Sequence, residues 1–269
     1  MKRLRAALDA GEVLLGPGVF SGAPSTVELI GYLGFDFVFL DTEQAPPGSD
    51  GLALEHLVRA ADAAGVAPTV RLGQFTPHLV NNAINLGAQA VWVPHVESAA
   101  QATAFVDAAR YPPAGHRGAA PVVRGARYGL EGFDDYRARA DAETLTIAIV
   151  ESVPGVEAVE EIAAVDGLDV ICFGAFDFAV SLGLRQADFY AGGGADGVHP
   201  DVRAAGERCL RACLDTGTVP CTAAWSAQAA RLWLDLGFRM LLFGLDTALL
   251  LQALRGLRAQ VDELKDGTG

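Results

Sequence analysis

Short runs of apolar residues recur along the chain, separated by longer segments whose apolar positions return every three or four residues. The runs are VLLGPGVF (13–20), FDFVFLD (35–41), APTVRL (67–72), AQAVWVP (88–94), LTIAIVE (145–151), LDVICFG (168–174), TVPCTA (218–223) and FRMLLFG (238–244). Runs this short, apolar at nearly every position, predict strands buried on both faces. The longer segments predict amphipathic helices. Several of them end in a glycine just ahead of the next run (Gly34, Gly65, Gly87, Gly217, Gly237), the expected helix C-cap. Eight strand–helix alternations in 269 residues predict a (β/α)8 TIM barrel rather than an open sheet. No G-x-G-x-x-G follows the first run, which argues against a dinucleotide-binding fold.

Two stretches break the rhythm: 111–144, and the glycine-rich 185–200, whose densest part is 192–197. With no linker between them, residues 1–269 read as one domain. Long inserts after barrel strands are expected on the catalytic face, as a lid or a subunit contact.

Composition narrows the function. Apolar residues make up 51% and charged residues 20%, which excludes intrinsic disorder. Twenty Lys and Arg against 33 Asp and Glu give a net charge of −13. That is the wrong sign for nucleic acid or an anionic membrane, so an anionic small-molecule substrate would have to be drawn in by local charge, a metal or an arginine. Four cysteines in so long a chain read as buried free thiols. The opening MKRLRAALDAGEV lacks an apolar signal core, and Arg239 and Asp246 interrupt the greasiest stretch, so a cytoplasmic protein is expected.

Polar residues just past the strand ends would converge on one mouth. They are Asp41, Thr42, Glu43 and Gln44 after the second run, Arg71 after the third, His95 after the fourth, Glu151 and Ser152 after the fifth, and Asp177 after the sixth. Glu151 and Asp177 follow adjacent strands, so their carboxylates can hold Mg²⁺, Mn²⁺ or Co²⁺ with positions open to a chelating substrate. Asp177 can equally cap a helix. Arg71 suits a carboxylate or enolate oxygen, or else a structural ion pair with Asp41 or Glu43. Asp41 and Glu43 would orient Arg71 or metal-bound water. His95 is the candidate acid or base, Ser152 a candidate substrate contact. There is no G-x-S-x-G elbow, which leaves serine-hydrolase chemistry little support, and the only lysines, Lys2 and Lys265, lie near the termini, which excludes a Schiff-base mechanism.

Several of these segments taken together, FDFVFLDTEQAP, PTVRLGQ, NLGAQAVWVPHVESAAQA, YPPAGHRGAAPVVRGARYG, IVESVPGVEAVEEIAAVDGLDVICFGAFDFAVSLG and GFRMLLFGLDTALLLQAL, resemble the HpcH/HpaI aldolases, the class II pyruvate aldolases. The resemblance implies a pyruvate-domain-like barrel, a divalent metal on Glu151 and Asp177, and pyruvate-enolate chemistry. It also implies a homo-oligomer, a trimer or a hexamer of paired trimers. Arg71 matches the arginine that stabilises the enolate, and Gly174 and Ala175 the backbone positions that receive the substrate carboxylate. Three positions depart, one of them Ile149, where the family usually has a glutamine two residues before the first metal ligand. Gln44 stands where the family has its proton-shuttling histidine, and Asn85 where it has that histidine's aspartate partner. Glutamine has no useful pKa, and loss of a general base commonly costs ~10²–10⁴-fold.

Three readings follow. The first is a divalent-metal-dependent carbon–carbon lyase acting through the enolate of pyruvate or a related 2-oxo acid. The second makes that enolate without a base, by decarboxylation of a 2-oxo diacid or a macrophomate-synthase-like bond formation. The third is a catalytically silent barrel, against which the buried charges of Glu151, Asp177 and Arg71 argue.

Overall fold

The eight apolar runs become eight strands. A computed structural model describes residues 2–46, 51–191 and 198–266 of the protein. The strands are β1 (Leu14–Val19), β2 (Phe37–Asp41), β3 (Ala67–Arg71), β4 (Ala90–Val93), β5 (Leu145–Val150), β6 (Val170–Phe173), β7 (Val219–Ala224) and β8 (Met240–Leu245). Each pairs in parallel with the next, and β8 closes on β1, forming the expected (β/α)8 barrel. Strands buried on both faces explain the continuous apolar runs. One set of side chains, Phe37, Phe39, Trp92, Ile147, Ile149 and Met240 among them, fills the barrel. A second set packs outward under the helices. Pro17 cannot donate to a ladder, and the β1–β8 register slips beside it, between Gly16 and Gly18. Gly16 lets β2 come close: a Cβ there would sit 2.1 Å from the Phe37 carbonyl oxygen.

The helices are α1 (Leu4–Asp9), α2 (Pro24–Tyr32), α3 (Gly51–Ala64), α4 (Pro77–Leu86), α5 (Ala99–Ala109), α6 (Phe133–Glu143), α7 (Val153–Glu157), α8 (Val159–Ala163), α9 (Ala175–Ser181), α10 (Gln186–Ala191), α11 (Pro200–Thr216), α12 (Ala227–Leu236) and α13 (Asp246–Asp266). Gly87 and Gly217 end α4 and α11 in the left-handed conformation, as their places in the sequence require. Leu4 and Ala7 of α1 pack onto the barrel interior at its N-terminal end.

One expectation is corrected. Residues 111–144 follow α5 rather than β4, and Thr144 leads directly into β5. A segment between a helix and the next strand lies at the N-terminal end of the barrel, so this insert is not on the catalytic face. Arg110 ties its two ends together by donating to the Thr144 carbonyl at 3.0 Å. The 185–200 stretch does follow β6, but its glycine-rich part, 192–197, lies outside the described residues.

The last helix differs from the others. No residue of α13 is buried, and Leu249, Leu250, Leu251, Leu254 and Leu257 are each at least half exposed. On α2 and just beyond it, Leu29, Tyr32 and Leu33 are exposed as well. No described helix is long and apolar enough to cross a membrane.

Candidate active site

At the C-terminal mouth a cavity of about 350 Å³ opens, with Glu43, Gln44, Arg71, His95, Glu151 and Asp177 on its polar side. Phe20, Phe176, Trp225 and Leu245 form an apolar wall opposite.

Asp41, the last residue of β2, is fully buried and organises the mouth from below. Its carboxylate accepts the backbone N–H groups of Glu43 (3.1 Å) and Gln44 (2.9 Å), which fixes the turn after β2. It also accepts Arg71 Nε at 2.6 Å. Arg71 ends β3 in register with Asp41, so the pair follows directly from the ladder. Arg71 Nη1 lies 2.9 Å from Glu43, and the guanidinium stacks over Phe39 and Phe20 at 5.3 and 5.7 Å. Burial works against the charge on Arg71, but the hydrogen bond to Asp41 and the charges of Asp41, Glu43 and Glu151 hold it above the ordinary arginine value. The structural and functional readings of Arg71 therefore coexist. Asp41 and Glu43 grip it, and the gripped fork still faces the cavity.

Glu43 continues the chain of contacts. Its other oxygen is 3.1 Å from His95 Nε2, and His95 Nδ1 is 3.1 Å from Glu151. His95 adopts a left-handed backbone (φ 55°), rare for a side-chain-bearing residue. That conformation lets its backbone N–H donate to the same Glu151 oxygen at 2.9 Å. Strain of this kind persists only where surrounding contacts hold it, and here both contacts end on one carboxylate.

Glu151 is buried, whereas Asp177, in the first turn of α9, is exposed. Burial, with the charge of Asp177 adding to it, pushes the Glu151 carboxyl up to about 7 against the pull of the His95 N–H. Gly174 makes room for it: a Cβ there would fall 2.8 Å from Glu151 Oε2. Asp41, Glu43 and Glu151 thus act on one guanidinium, and Asp177 lines the same cavity. Among the described residues no group of three or more His, Cys, Asp or Glu side chains forms a ligand cluster; Glu151 and Asp177 are two carboxylates on the cavity that could hold a cation.

Residues 19–253 match the model of the HpcH/HpaI aldolase/citrate lyase family. The chain belongs to that family. A hydroxypyruvate/pyruvate aldolase of Pseudomonas aeruginosa is 33% identical over 258 residues, 96% of this chain and 91% of its own length. A 2-dehydro-3,6-dideoxy-6-sulfogluconate aldolase of Pseudomonas putida is 32% identical over 252 residues, 91% of this chain and 94% of its own. The solved structure of a family member from Burkholderia cenocepacia J2315 superposes with a TM-score of 0.87 at 33% identity, covering 97% of this chain and all of its own. The protein is accordingly a carbon–carbon lyase, in a family that is generally divalent-metal-dependent.

Not every residue singled out in the sequence reaches the mouth. Asn85 lies near the C-terminal end of α4, which runs back toward the start of β4, and it accepts a hydrogen bond from Arg117 at 2.8 Å. Within one chain it is no neighbour of Gln44. Ser152 caps α7, accepting from Gly155 N–H at 3.2 Å and donating to Glu97 at 2.6 Å, and it does not line the cavity. The Gly174 N–H is already given to the Val150 carbonyl (3.0 Å), so of the two backbone positions only Ala175 can offer a donor. Sequence reasoning missed the cavity floor, where Trp92 is buried with an unpartnered indole N–H. A tryptophan in register with Arg71 was the available signal.

Proposed function

We propose that this lyase cleaves and forms a carbon–carbon bond next to the enolate of pyruvate or a closely related 2-oxo acid, with a divalent cation on Glu151 and Asp177. The observation that carries the reading is the Asp41–Arg71–Glu43–His95–Glu151 chain, which aims one held guanidinium into a mouth with excess negative charge. A buried carboxylate beside a second carboxylate suits a cation, and Gly174 keeps the space free. When bound, the cation supplies Lewis-acid polarisation of the 2-oxo acid's oxygens.

The remaining steps fall to the chain's own residues. In the cleavage direction the bond between the enolate carbon and the hydroxyl-bearing carbon breaks. Its electron pair passes into the enolate, and the hydroxyl proton leaves to a base. Arg71 hydrogen-bonds the developing enolate oxygen in a pocket shielded by Phe20 and Phe39. Ala175 N–H, at the start of α9, receives the substrate carboxylate. His95 takes the proton, because it touches the cavity and Gln44 cannot titrate. The apolar wall of Phe176, Trp225 and Leu245 receives the aldehyde part.

A second reading rests on Gln44, an uncharged side chain lining the cavity: decarboxylation of a 2-oxo diacid would make the same enolate without proton abstraction. Exchange of pyruvate methyl protons in D₂O, followed by NMR, separates the two. Exchange that needs Mg²⁺, Glu151, Asp177 and His95 supports the aldolase. No exchange, with CO₂ released from oxaloacetate, replaces it with the decarboxylase.

A homo-oligomer is part of the same proposal. The bare leucines of α13 and the exposed Leu29, Tyr32 and Leu33 give each chain an unmatched helix and an unmatched surface, which two copies can satisfy reciprocally. Light scattering of a chain ending at residue 246 checks this, with a monomer expected.

A further inference from the structure

A second concavity lies at the opposite end of the barrel. Residues 87–89, just ahead of β4, and Thr144, just ahead of β5, form part of a cavity of about 510 Å³. Five arginines, Arg3, Arg59, Arg124, Arg127 and Arg139, line it in a chain whose net charge is −13. Four of them are held by acids on its rim. Arg59 pairs with Glu55 at 2.6 Å, Arg139 with Glu131 at 2.7 Å, Arg124 with Asp62 and Arg3 with Glu143. Each guanidinium has more N–H donors than these pairs use.

Two cations make no ion pair with a described residue. Arg127 is exposed, and the acid that feels its charge, Glu131, is already held by Arg139. Directly behind the cavity, Arg117 is only 4% exposed, yet its hydrogen-bond partners are neutral: Asn81, Asn85 and the hydroxyl of Tyr136, whose ring lines the cavity. Its Nη1 has no partner at all. A buried guanidinium with no carboxylate raises the positive potential of everything in front of it.

The backbone here is strained as well. Arg127 and Tyr128 are consecutive left-handed residues (φ 50° and 56°) that carry side chains. The Tyr128 hydroxyl accepts Arg59 Nη2 at 3.0 Å, and Arg139 donates to the Gly125 carbonyl at 2.9 Å, so the arginines themselves pin the strained turn. Strain held by the very groups that line a cavity points to a built site.

We propose that this cavity binds a small multiply charged oxyanion, either a phosphoryl group or a di- or tricarboxylate, gripped by Arg59, Arg124 and Arg127. Guanidinium forks match both oxyanion types in two-bond geometry, and the spare donors around the cavity need an acceptor. The site is separate from the catalytic mouth, lying at the other end of β4 and β5, and it does not rest on the aldolase reading.

The test titrates the full chain, saturated with Mg²⁺, with inorganic phosphate and separately with tricarballylate, following Tm against NaCl of matched ionic strength. Wild type is compared with Arg127→Asn, Arg59→Gln and Arg71→Gln. Asparagine tolerates the left-handed backbone, so Arg127→Asn removes the charge without adding strain. Saturable stabilisation by at least one of the two anions is expected, and the anion that gives it names the class. Binding should weaken about tenfold or more in Arg127→Asn and in Arg59→Gln, as loss of a charged hydrogen bond implies, and persist in Arg71→Gln. The proposal is overturned if NaCl gives the same shift, if neither anion binds, or if Arg127→Asn titrates like wild type. Loss of binding in Arg71→Gln alone would assign the anion to the catalytic mouth and overturn it too.

Discussion

The two ends of β4 and β5 carry opposite electrostatics. Past their C-terminal ends, Glu43, Glu151 and Asp177 line one cavity with a single arginine, and burial lifts Glu151 to about 7. Ahead of their N-terminal ends, five arginines line a cavity; one of them, Arg127, and the buried Arg117 behind it make no ion pair with a described residue. On the proposed readings, the acidic end takes a cation together with a 2-oxo acid, and the basic end takes an anion directly. A net charge of −13 hides this division, which only the barrel's topology makes visible.

The largest effects should come from abolishing the acidic excess. Glu151→Gln and Asp177→Asn are each expected to lower metal-dependent turnover about 10³-fold, and chelation of the wild type should do the same. Stability should move the other way. In chelator at pH 8, Glu151→Gln removes a buried charge while its amide oxygen still accepts the His95 N–H. Its Tm is therefore expected to rise by roughly 2–4 °C for each kcal/mol of desolvation relieved. A fall in Tm in chelator would mean that the charge on Glu151 is already balanced within the chain, and the contrast between the two ends would fail.

Arg71→Ala tests the same mouth from the cationic side. It strands Asp41, whose carboxylate is wholly buried, and breaking such a pair costs about 3–5 kcal/mol. Thermal unfolding should show that loss together with a ~10²–10³-fold fall in kcat. Arg71→Lys keeps the charge but loses the fork, so most of the stability and little of the activity should return. Equal losses in both variants would mean that the geometry of the guanidinium does not matter.

These expectations draw on features of unequal legibility. All eight strands could be read from the sequence because parallel strands buried on both faces leave unbroken apolar runs, as in FDFVFLD and LTIAIVE. The strand-end rule also anticipated that Glu43, Arg71, His95, Glu151 and Asp177 would line one cavity, with Asp41 beneath Arg71, because register in a barrel turns sequence position into height along the axis. Asn85 came from the family resemblance and not from that rule: it sits on a helix, where the same step along the chain runs toward the other end of the barrel. The 111–144 insert was misplaced because its position depends on whether α5 comes before it, not on its distance from β4. The bare face of α13 left no trace either, since its period matches that of any packed amphipathic helix and only the coordinates reveal what it does not touch.

The smallest effect distinguishes a ligand site from a structural turn at the basic end. Arg127 holds a left-handed backbone, which costs a side-chain-bearing residue roughly 1–2 kcal/mol. Glycine relieves that cost and loses ~0.5–1 kcal/mol of unfolded-state entropy in exchange, so Arg127→Gly should be neutral or slightly stabilising, within about 1 kcal/mol. Its kcat should match wild type, because the residue lies at the end of the barrel away from Arg71 and Glu151. If the arginine serves only to hold the turn, the variant will instead unfold earlier and carry Tyr128 and Arg59 with it. A variant that is as stable as wild type, fully active and blind to added oxyanion would leave anion binding as the reason for tolerating strain at this position.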